Sequence, residues 1–416
     1  MEYGCIGEKL GHSFSKEIHN ALADYDYRLQ ELKREELPEF FHKKEFKAIN
    51  VTIPYKQDVI PYLHWISDEA RSINAVNTIV NKNGKLYGYN TDFYGLKALI
   101  ERENVSLNNK RVAILGSGGT SNTAYAVAQN MGASLVVKVS RNKKDGYITY
   151  EELYSDFNDC EIIINTTPCG MYPNTDTVAV VLSKLTSVEA VFDAVYNPLK
   201  SRLILDAKAK NITAVGGLYM LVSQAAFAVE KFIDAEVDNQ KVEEVFQNLY
   251  KQKMNIALIG MPASGKTSVG KALSEKLDKS FVDCDEEIVK DQNKCIPEIF
   301  AESGEAYFRE VEKNVIKNIS KQNSQIISTG GGAVLNNENI VNLKGNARVY
   351  FLNRPLDMLI TTDDRPLSSN RADLEKRFNE RYELYLAAAD VVVDGSGTVE
   401  EVVKLIEEDF YGYSCN

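Results

Sequence analysis

Apolar and polar positions along the chain fall into a repeating alternation. Short β-branched runs, KAINVTIPY, KRVAIL, SLVVKV, CEIIIN and AVFDAVY, alternate with stretches of helical period such as TSNTAYAVAQNMG. That alternation predicts βαβ units around parallel sheets, and so an α/β fold. The pattern then restarts. An amphipathic helix is expected from about Tyr219 to Asp234, followed by the charged stretch AEVDNQKVEEVFQNLYKQK, which has no β-branched run. Immediately behind it MNIALIGMPASGKTSVGKAL opens a fresh strand, glycine loop and helix. A linker is therefore expected at residues 237–253, between two α/β halves at 1–236 and 254–416. No short-period repeat joins them.

Composition narrows the class. A chain of 416 residues has room for two or three domains, each with its own core. Its 48 Lys and Arg against 59 Asp and Glu give a net charge of −11, the wrong sign for gripping nucleic acid phosphates. Small anions remain eligible ligands, because the potential in a cleft is set by nearby groups. Six scattered cysteines without a CxxC pair read as reduced thiols, and four histidines are too dispersed for a zinc site. The N-terminus lacks a basic and apolar leader, and no run approaches about 18 apolar residues. A cytoplasmic protein is expected, with neither a nucleic acid nor a membrane partner.

The strongest motif lies in the second half. Gly260-Met261-Pro262-Ala263-Ser264-Gly265-Lys266-Thr267 satisfies G-x-x-x-x-G-K-[ST], after the strand NIALI and before a helical pattern, and Gly260, Ala263, Ser264, Gly265 and Ser268 are expected on the nucleotide. Glycines let backbone N–H groups wrap phosphate oxygens at a helix N-terminus. Lys266 is then expected on the β- and γ-phosphates of ATP and the Thr267 hydroxyl on Mg²⁺.

FVDCDEEI, GEAYFREVE, STGGGAV, DRPLS and RYELY follow in order, and with them residues 254–416 resemble shikimate kinase. The resemblance implies a P-loop kinase of nucleoside-monophosphate-kinase-like fold. The chemistry is consistent: a carboxylated triol needs arginines for its carboxylate, a carboxylate for its hydroxyls, and close backbone approach. Arg309 and Arg381 suit the first need, Asp285 the second, and Gly330, Gly331 and Gly332 the third. The family further implies that Asp285 orients the attacking hydroxyl and acts as its base, that Asp283 helps hold Mg²⁺, and that Arg365, on a lid, reaches the transferring phosphate. Where the family carries an adenine-stacking arginine this chain has Ile360 or Thr361, and the stretch from Arg365 to Arg381 is short.

In the first half, Gly116-Ser117-Gly118-Gly119-Thr120-Ser121 follows the strand RVAIL and precedes a helical run, as a dinucleotide fold requires, with Ser121 in place of the third glycine. The next strand ends in Ser140-Arg141-Asn142-Lys143-Lys144 rather than in an acid. Arg141 and Lys143 can pair with a 2′-phosphate, which predicts NADP; Asp145 just beyond keeps NAD use open.

With YGCIGEKLGHSFSKEIHNAL, INVTIPYK, INAVNT, YNTDFYG, INTTPCGMYP, FDAVYNP and GGLYMLVSQAAFA, residues 1–236 resemble shikimate dehydrogenase. That implies two lobes, a substrate lobe of about 1–95 plus 218–236 and a Rossmann lobe binding NADP at about 96–217. It also implies that Lys56 and Asp92 form the catalytic pair. Ser13 and Ser15 would take the substrate carboxylate, Thr52, Asn77, Tyr196 and Gln224 (with Asp92) its ring and hydroxyls, and Met171, Gly217 and Met220 the nicotinamide. A lysine beside a carboxylate suits ketone reduction, which needs a proton donor at the carbonyl oxygen. Ser15 also reads as an N-cap of SKEIHNAL. Two departures stand out: Tyr219 replaces a glycine near the nicotinamide, and Asn122 replaces a loop arginine.

The two resemblances are to consecutive steps, 3-dehydroshikimate to shikimate and shikimate to shikimate 3-phosphate, with NADP(H), ATP and Mg²⁺ as cofactors. Fusion then equalises the two activities and raises the local concentration of the shared intermediate. Three alternatives stand beside this: a quinate/shikimate dehydrogenase using NAD, a silent kinase half acting as scaffold, and another small-molecule P-loop kinase such as a gluconate kinase. Oligomeric state does not follow from the sequence.

Overall fold

Three sheets account for the β-branched runs in the computed structural model, which describes residues 1–10, 14–359 and 371–415. The first contains β1 (Tyr3–Gly7), β2 (Tyr27–Glu31), β3 (Ala48–Val51), β4 (Trp65–Ile66), β5 (Thr78–Lys82) and β6 (Lys85–Tyr89), in the order β2-β1-β3-β5-β6-β4. It is mixed rather than parallel. Asn83 and Gly84, both at positive φ, close a two-residue hairpin that runs β5 antiparallel to β6, and β5 is also antiparallel to β3. The second sheet contains β7 (Arg111–Leu115), β8 (Leu135–Val139), β9 (Ile162–Asn165), β10 (Ala190–Asp193) and β11 (Thr213–Val215). It is parallel throughout, in the order β11-β10-β9-β7-β8. Its strands β9 and β10 are buried at every position, which is why they read as unbroken apolar runs. Strand order reverses beside β7, and a crevice for a ligand opens at such a point.

The third sheet is also parallel, with β12 (Asn255–Ile259), β13 (Ser280–Asp283), β14 (Gln325–Ser328), β15 (Ala347–Asn353) and β16 (Val391–Asp394) in the order β13-β14-β12-β15-β16. All five residues of the central β12 are buried, so the glycine loop that follows it leaves from the middle of the sheet.

The chain divides into two units, Met1–Tyr196 with Asp206–Leu249, and Asn197–Leu205 with Tyr250–Asn416. The expected linker is a helix, Asn239–Lys253. Its Val242, Val245, Phe246 and Leu249 are buried, and Arg102 grips Glu243 at 3.0 and 2.9 Å. The stretch reads as polar because its apolar residues sit at helical spacing instead of in a run. In the same unit the helix Leu218–Ile233 packs on the helix Thr91–Arg102 so tightly that a Cβ at Gly95 would lie 2.7 Å from the Met220 carbonyl oxygen. Backbone contact of this kind fixes the relative position of every side chain the two helices carry. Among the described residues no helix is long and apolar enough to cross a membrane, and all six cysteines are free.

Candidate functional site

In the first unit, Lys56 follows β3 and Asp92 lies in the first turn of the helix Thr91–Arg102; the Lys56 ammonium donates to the Asp92 carboxylate at 2.5 Å. Both side chains are mostly covered, and the helix N-terminus favours the carboxylate charge. Asn90 caps that helix by accepting from the Phe93 N–H at 3.3 Å. A hydrogen-bonded web stands beside the pair. The Asn77 side-chain carbonyl accepts from the Thr91 N–H (2.7 Å), the Thr91 hydroxyl (3.2 Å) and the Thr78 hydroxyl (3.1 Å). That leaves its amide as the group to offer a ligand. The Gln224 side-chain oxygen lies 3.4 Å from the Thr91 hydroxyl, and its amide donates to the Leu221 carbonyl at 2.9 Å. Asn50 donates to the Thr78 hydroxyl at 3.1 Å and accepts from the Tyr27 hydroxyl at 2.7 Å. Thr52 lies on the Lys56 turn, where its carbonyl accepts from the Tyr55 N–H at 3.0 Å.

Behind Tyr27, the His19 ring stacks at 3.9 Å and its Nδ1 is 2.7 Å from the Tyr25 hydroxyl. Burial pushes this imidazole down to about 3, so it is neutral at ordinary pH. The Tyr196 ring lies 5.5 Å from that of Phe14, and burial raises its phenol above the usual range. Phe14, not Ser15, occupies the cap of the helix Ser15–Leu22, so the expected capping role of Ser15 is not observed. Ser13 lies outside the described residues.

In the second sheet's crevice the loop after β7 holds Gly116 at φ +113°, and Gly118 caps the helix Gly119–Asn130 with no side chain closing its end. A Cβ at Gly118 or Gly119 would meet nothing within 4 Å. Open space over unclaimed N–H groups, flanked by Ser117 and Thr120, fits a pyrophosphate. Ser121, at the third-glycine position, is fully buried with its hydroxyl unpartnered. Beyond β8, the Ser140 N–H donates to Ile148 and Arg141 is exposed. Lys143, however, is ion-paired with Glu152, so of the two cations expected to meet a 2′-phosphate only Arg141 stands clear. Glu152, nine residues on, was not foreseeable as its partner because the helix Tyr150–Asp156 had to fold back first. Met171 is exposed and Met220 buried, while a Cβ at Gly217 would fall 2.4 Å from the Ala194 carbonyl oxygen. The Tyr219 ring is taken up by Phe246 (5.2 Å) and the Arg102 guanidinium (4.8 Å).

In the second unit the loop after β12 has Gly260, Ala263 and Gly265 at positive φ, and Gly265 caps the helix Lys266–Leu277. Lys266 is buried with Ser264 and bends over the loop, donating to the carbonyls of Gly260 (3.0 Å) and Met261 (2.8 Å). The Thr267 hydroxyl donates to Asp283 at 3.0 Å, and Asp283 also caps the helix Cys284–Gln292 through the Asp285 N–H. One hydroxyl and one carboxylate beside a phosphate cradle suit Mg²⁺, which keeps several waters and borrows phosphate oxygens.

A cavity of about 600 Å³ is lined by Lys266, Thr267 and Ser268 and also by Asp285, Arg309, Gly330, Gly331, Gly332 and Arg381. Arg309 donates to Glu312 at 2.9 Å and to Glu305 at 3.0 Å. Glu312 is 1% exposed; burial raises its carboxyl pKa although Arg309 opposes the shift, and its Oε1 has no partner. Arg381 and the Tyr385 hydroxyl both donate to the Gly331 carbonyl, at 2.9 and 2.5 Å. A Cβ at Gly330 would lie 2.9 Å from Asp285 and 3.0 Å from Glu312, one at Gly331 2.7 Å from Pro262, and one at Gly332 2.2 Å from Arg309. Glu312 and Tyr385 escaped the sequence reading; their signal was spacing, three residues after Arg309 and four after Arg381. Arg365, Ile360 and Thr361 lie outside the described residues.

Comparisons with known proteins divide at the same place. A family model for the shikimate dehydrogenase substrate binding domain matches residues 5–79, and one for shikimate kinase matches residues 262–410. The shikimate dehydrogenase (NADP(+)) of Clostridium perfringens strain 13 is 39% identical over 264 residues, spanning 59% of this chain and 97% of that protein. A chorismate mutase/shikimate 5-dehydrogenase fusion protein from Clostridium acetobutylicum has a TM-score of 0.57 at 35% identity, over 59% of this chain and 96% of that one. Shikimate 5-dehydrogenase from Listeria monocytogenes, solved with shikimate and NAD, gives 0.53 at 26% identity over 59% and 96%.

Proposed function

Because this chain belongs to the shikimate dehydrogenase family over 59% of its length and carries a shikimate kinase domain behind that part, we propose that it performs two successive steps on one metabolite. It reduces 3-dehydroshikimate to shikimate with NADPH, and it phosphorylates the shikimate 3-hydroxyl with ATP. The observation that carries the reading is that one chain holds both the 2.5 Å Lys56–Asp92 pair and a single cavity joining a phosphate loop to an arginine and carboxylate set.

NADPH supplies the hydride when bound. Lys56 gives the proton to the carbonyl oxygen, and Asp92 holds the ammonium in place and shares the proton on its return. Ser13 and Ser15 take the carboxylate, while Thr52, Asn77, Tyr196 and Gln224 orient the ring and its hydroxyls. Gly116, Ser117, Gly118, Gly119 and Thr120 form the pyrophosphate cradle, Arg141 meets the 2′-phosphate beside Ser140, and Met171, Gly217 and Met220 border the nicotinamide.

In the second step MgATP supplies the phosphoryl group. Arg309 and Arg381 hold the acceptor carboxylate, Asp285 orients the attacking hydroxyl and accepts its proton, and Gly330, Gly331 and Gly332 bring backbone against the ring. Lys266 leaves the loop carbonyls for the transferring phosphate, Thr267 and Asp283 hold the metal, and Arg365 offsets transition-state charge. The dehydrogenase part comprises residues 1–236 and the kinase part residues 254–416, with 237–253 between them. The six free thiols support a reducing, cytoplasmic setting.

Purified chain given 3-dehydroshikimate, NADPH, ATP and Mg²⁺ should consume NADPH and ATP in equal amounts. Failure to form ADP from added shikimate would overturn the kinase assignment, and equal turnover with NADH would overturn the NADP preference.

A further inference from the structure

Three arginines line the acceptor cavity, and they are not equally occupied. Arg309 is bonded to Glu312 and Glu305, and Arg381 to the Gly331 carbonyl. Arg377 is the third. It is half-buried, its Nε is sealed from solvent without a hydrogen-bond partner, and among the described residues no carboxylate pairs with it. The Nε atoms of Arg309 and Arg381 and the Oε1 of Glu312 are buried and unpartnered as well. Those four atoms are closed off, so what the cavity offers a ligand is the outer guanidinium nitrogens, and those of Arg377 are the ones without a protein partner among the described residues.

Arg377 precedes Arg381 by one turn on the helix Arg371–Ala388, so the two share a face. Arg381 reaches the backbone of the triple glycine, the acceptor's side of the cavity, whereas the phosphate end is already served by Lys266 and the helix that Gly265 caps. The cavity's acids do not neutralise Arg377, and an acceptor such as shikimate carries one permanent charge, its carboxylate. Burial, with the charges of Arg377 and Arg309 adding to it, also lowers the Arg381 pKa, as expected for cations gathered where an anion is to sit.

We propose that Arg377 is the third arm of the clamp on the acceptor's carboxylate and sets the preference of the kinase for an acid over a neutral analogue. The assignment rests on the kinase reading above. It is tested in the full chain with Arg377→Met and Arg377→Lys, measuring shikimate binding without nucleotide, ADP binding by titration, and kinase rates with shikimate and its methyl ester. Arg377→Met should weaken shikimate binding and raise KM roughly tenfold to a hundredfold, as loss of a charge-assisted hydrogen bond does, with kcat within about threefold and ADP binding unchanged. Arg377→Lys should fall between, since an ammonium cannot reproduce the guanidinium fork. The preference for acid over ester should shrink by the same factor as binding. A fall in kcat with shikimate binding unchanged would move Arg377 to the transferring phosphate and overturn the proposal, as would no change in either. Absence of ADP formation by the unaltered chain would overturn the kinase reading itself.

Discussion

The two candidate sites are built on opposite plans. Around Lys56 and Asp92 the polar side chains satisfy one another: Tyr27, Asn50, Thr78, Asn77 and Thr91 are linked by hydrogen bonds of 2.7 to 3.1 Å, with the Gln224 side-chain oxygen 3.4 Å from the Thr91 hydroxyl. Around Asp285 the cavity keeps buried guanidinium and carboxylate atoms without partners, and Lys266 rests on its own loop. The difference matches the chemistry. Proton donation to a ketone needs one ammonium held in one direction, which the Asp92 carboxylate provides before the substrate arrives. Phosphoryl transfer needs positive charge kept ready for several anionic groups, which the guanidiniums lining the cavity supply.

The largest expected effect separates the two plans outright. Lys56→Ala should lower 3-dehydroshikimate reduction by about a thousandfold and leave shikimate phosphorylation within about twofold; Lys266→Ala should do the reverse. Steady-state rates for both reactions on each variant check this, and loss of both activities in a folded variant would break the separation. Next in size is Glu312→Ala. Without its buried acceptor, Arg309 should lose its aim, raising the shikimate KM of the kinase by roughly thirtyfold and lowering the stability of that unit by about 3 kcal/mol. An equally large effect on the reductase would contradict the contrast.

Acid probes His19, the buried imidazole stacked behind the network of the first site. His19 is neutral in the fold down to about pH 3, while an exposed imidazole in the unfolded chain protonates near 6.5. Between those values the unfolded state binds more protons, so stability should fall as pH falls, by up to about 1.4 kcal/mol per pH unit, with no contribution above pH 6.5. At pH 5 that amounts to about 2 kcal/mol. The single tryptophan, Trp65, lies in the same unit, so urea titrations followed by its fluorescence at pH 7 and pH 5 report the slope, which His19→Phe should flatten. The smallest effect is at the cofactor. Arg141→Ala should raise the KM for NADPH about tenfold and spare NADH, while Lys143→Ala, whose charge already meets Glu152, should change either by less than about threefold.

Much of this was legible in the chain. The phosphate loop and the dinucleotide glycines announce themselves because strand, turn and helix N-terminus are contiguous in sequence. The sheets beyond the first followed from unbroken β-branched runs. The mixed first sheet was less legible, since Asn83-Gly84 turns the chain back in two residues within an otherwise uniform pattern. Glu312, Tyr385 and Arg377 did not announce themselves, because a charged or aromatic residue on a helix usually faces solvent and only packing decides otherwise. Asn50, Thr78 and Thr91 were hidden for a related reason: their partners come from three strands and two helices that sequence spacing does not bring together. The helix Asn239–Lys253 reads as a polar connector until its apolar stripe finds a surface.

The triple glycine after β14 carries a consequence for mutational scanning. Adding the same methyl group at three successive positions meets three different neighbours: carboxylates at Gly330, the Pro262 ring of the phosphate loop at Gly331, and the Arg309 guanidinium at Gly332. A saturation library read only for survival would score all three as equally intolerant. Resolved by substrate, the alanines should separate, the first impairing hydroxyl activation, the second the nucleotide end and the third carboxylate capture. Three adjacent codons thus act as a built-in ruler along the reaction axis, each tick marking a different part of the bound reactants.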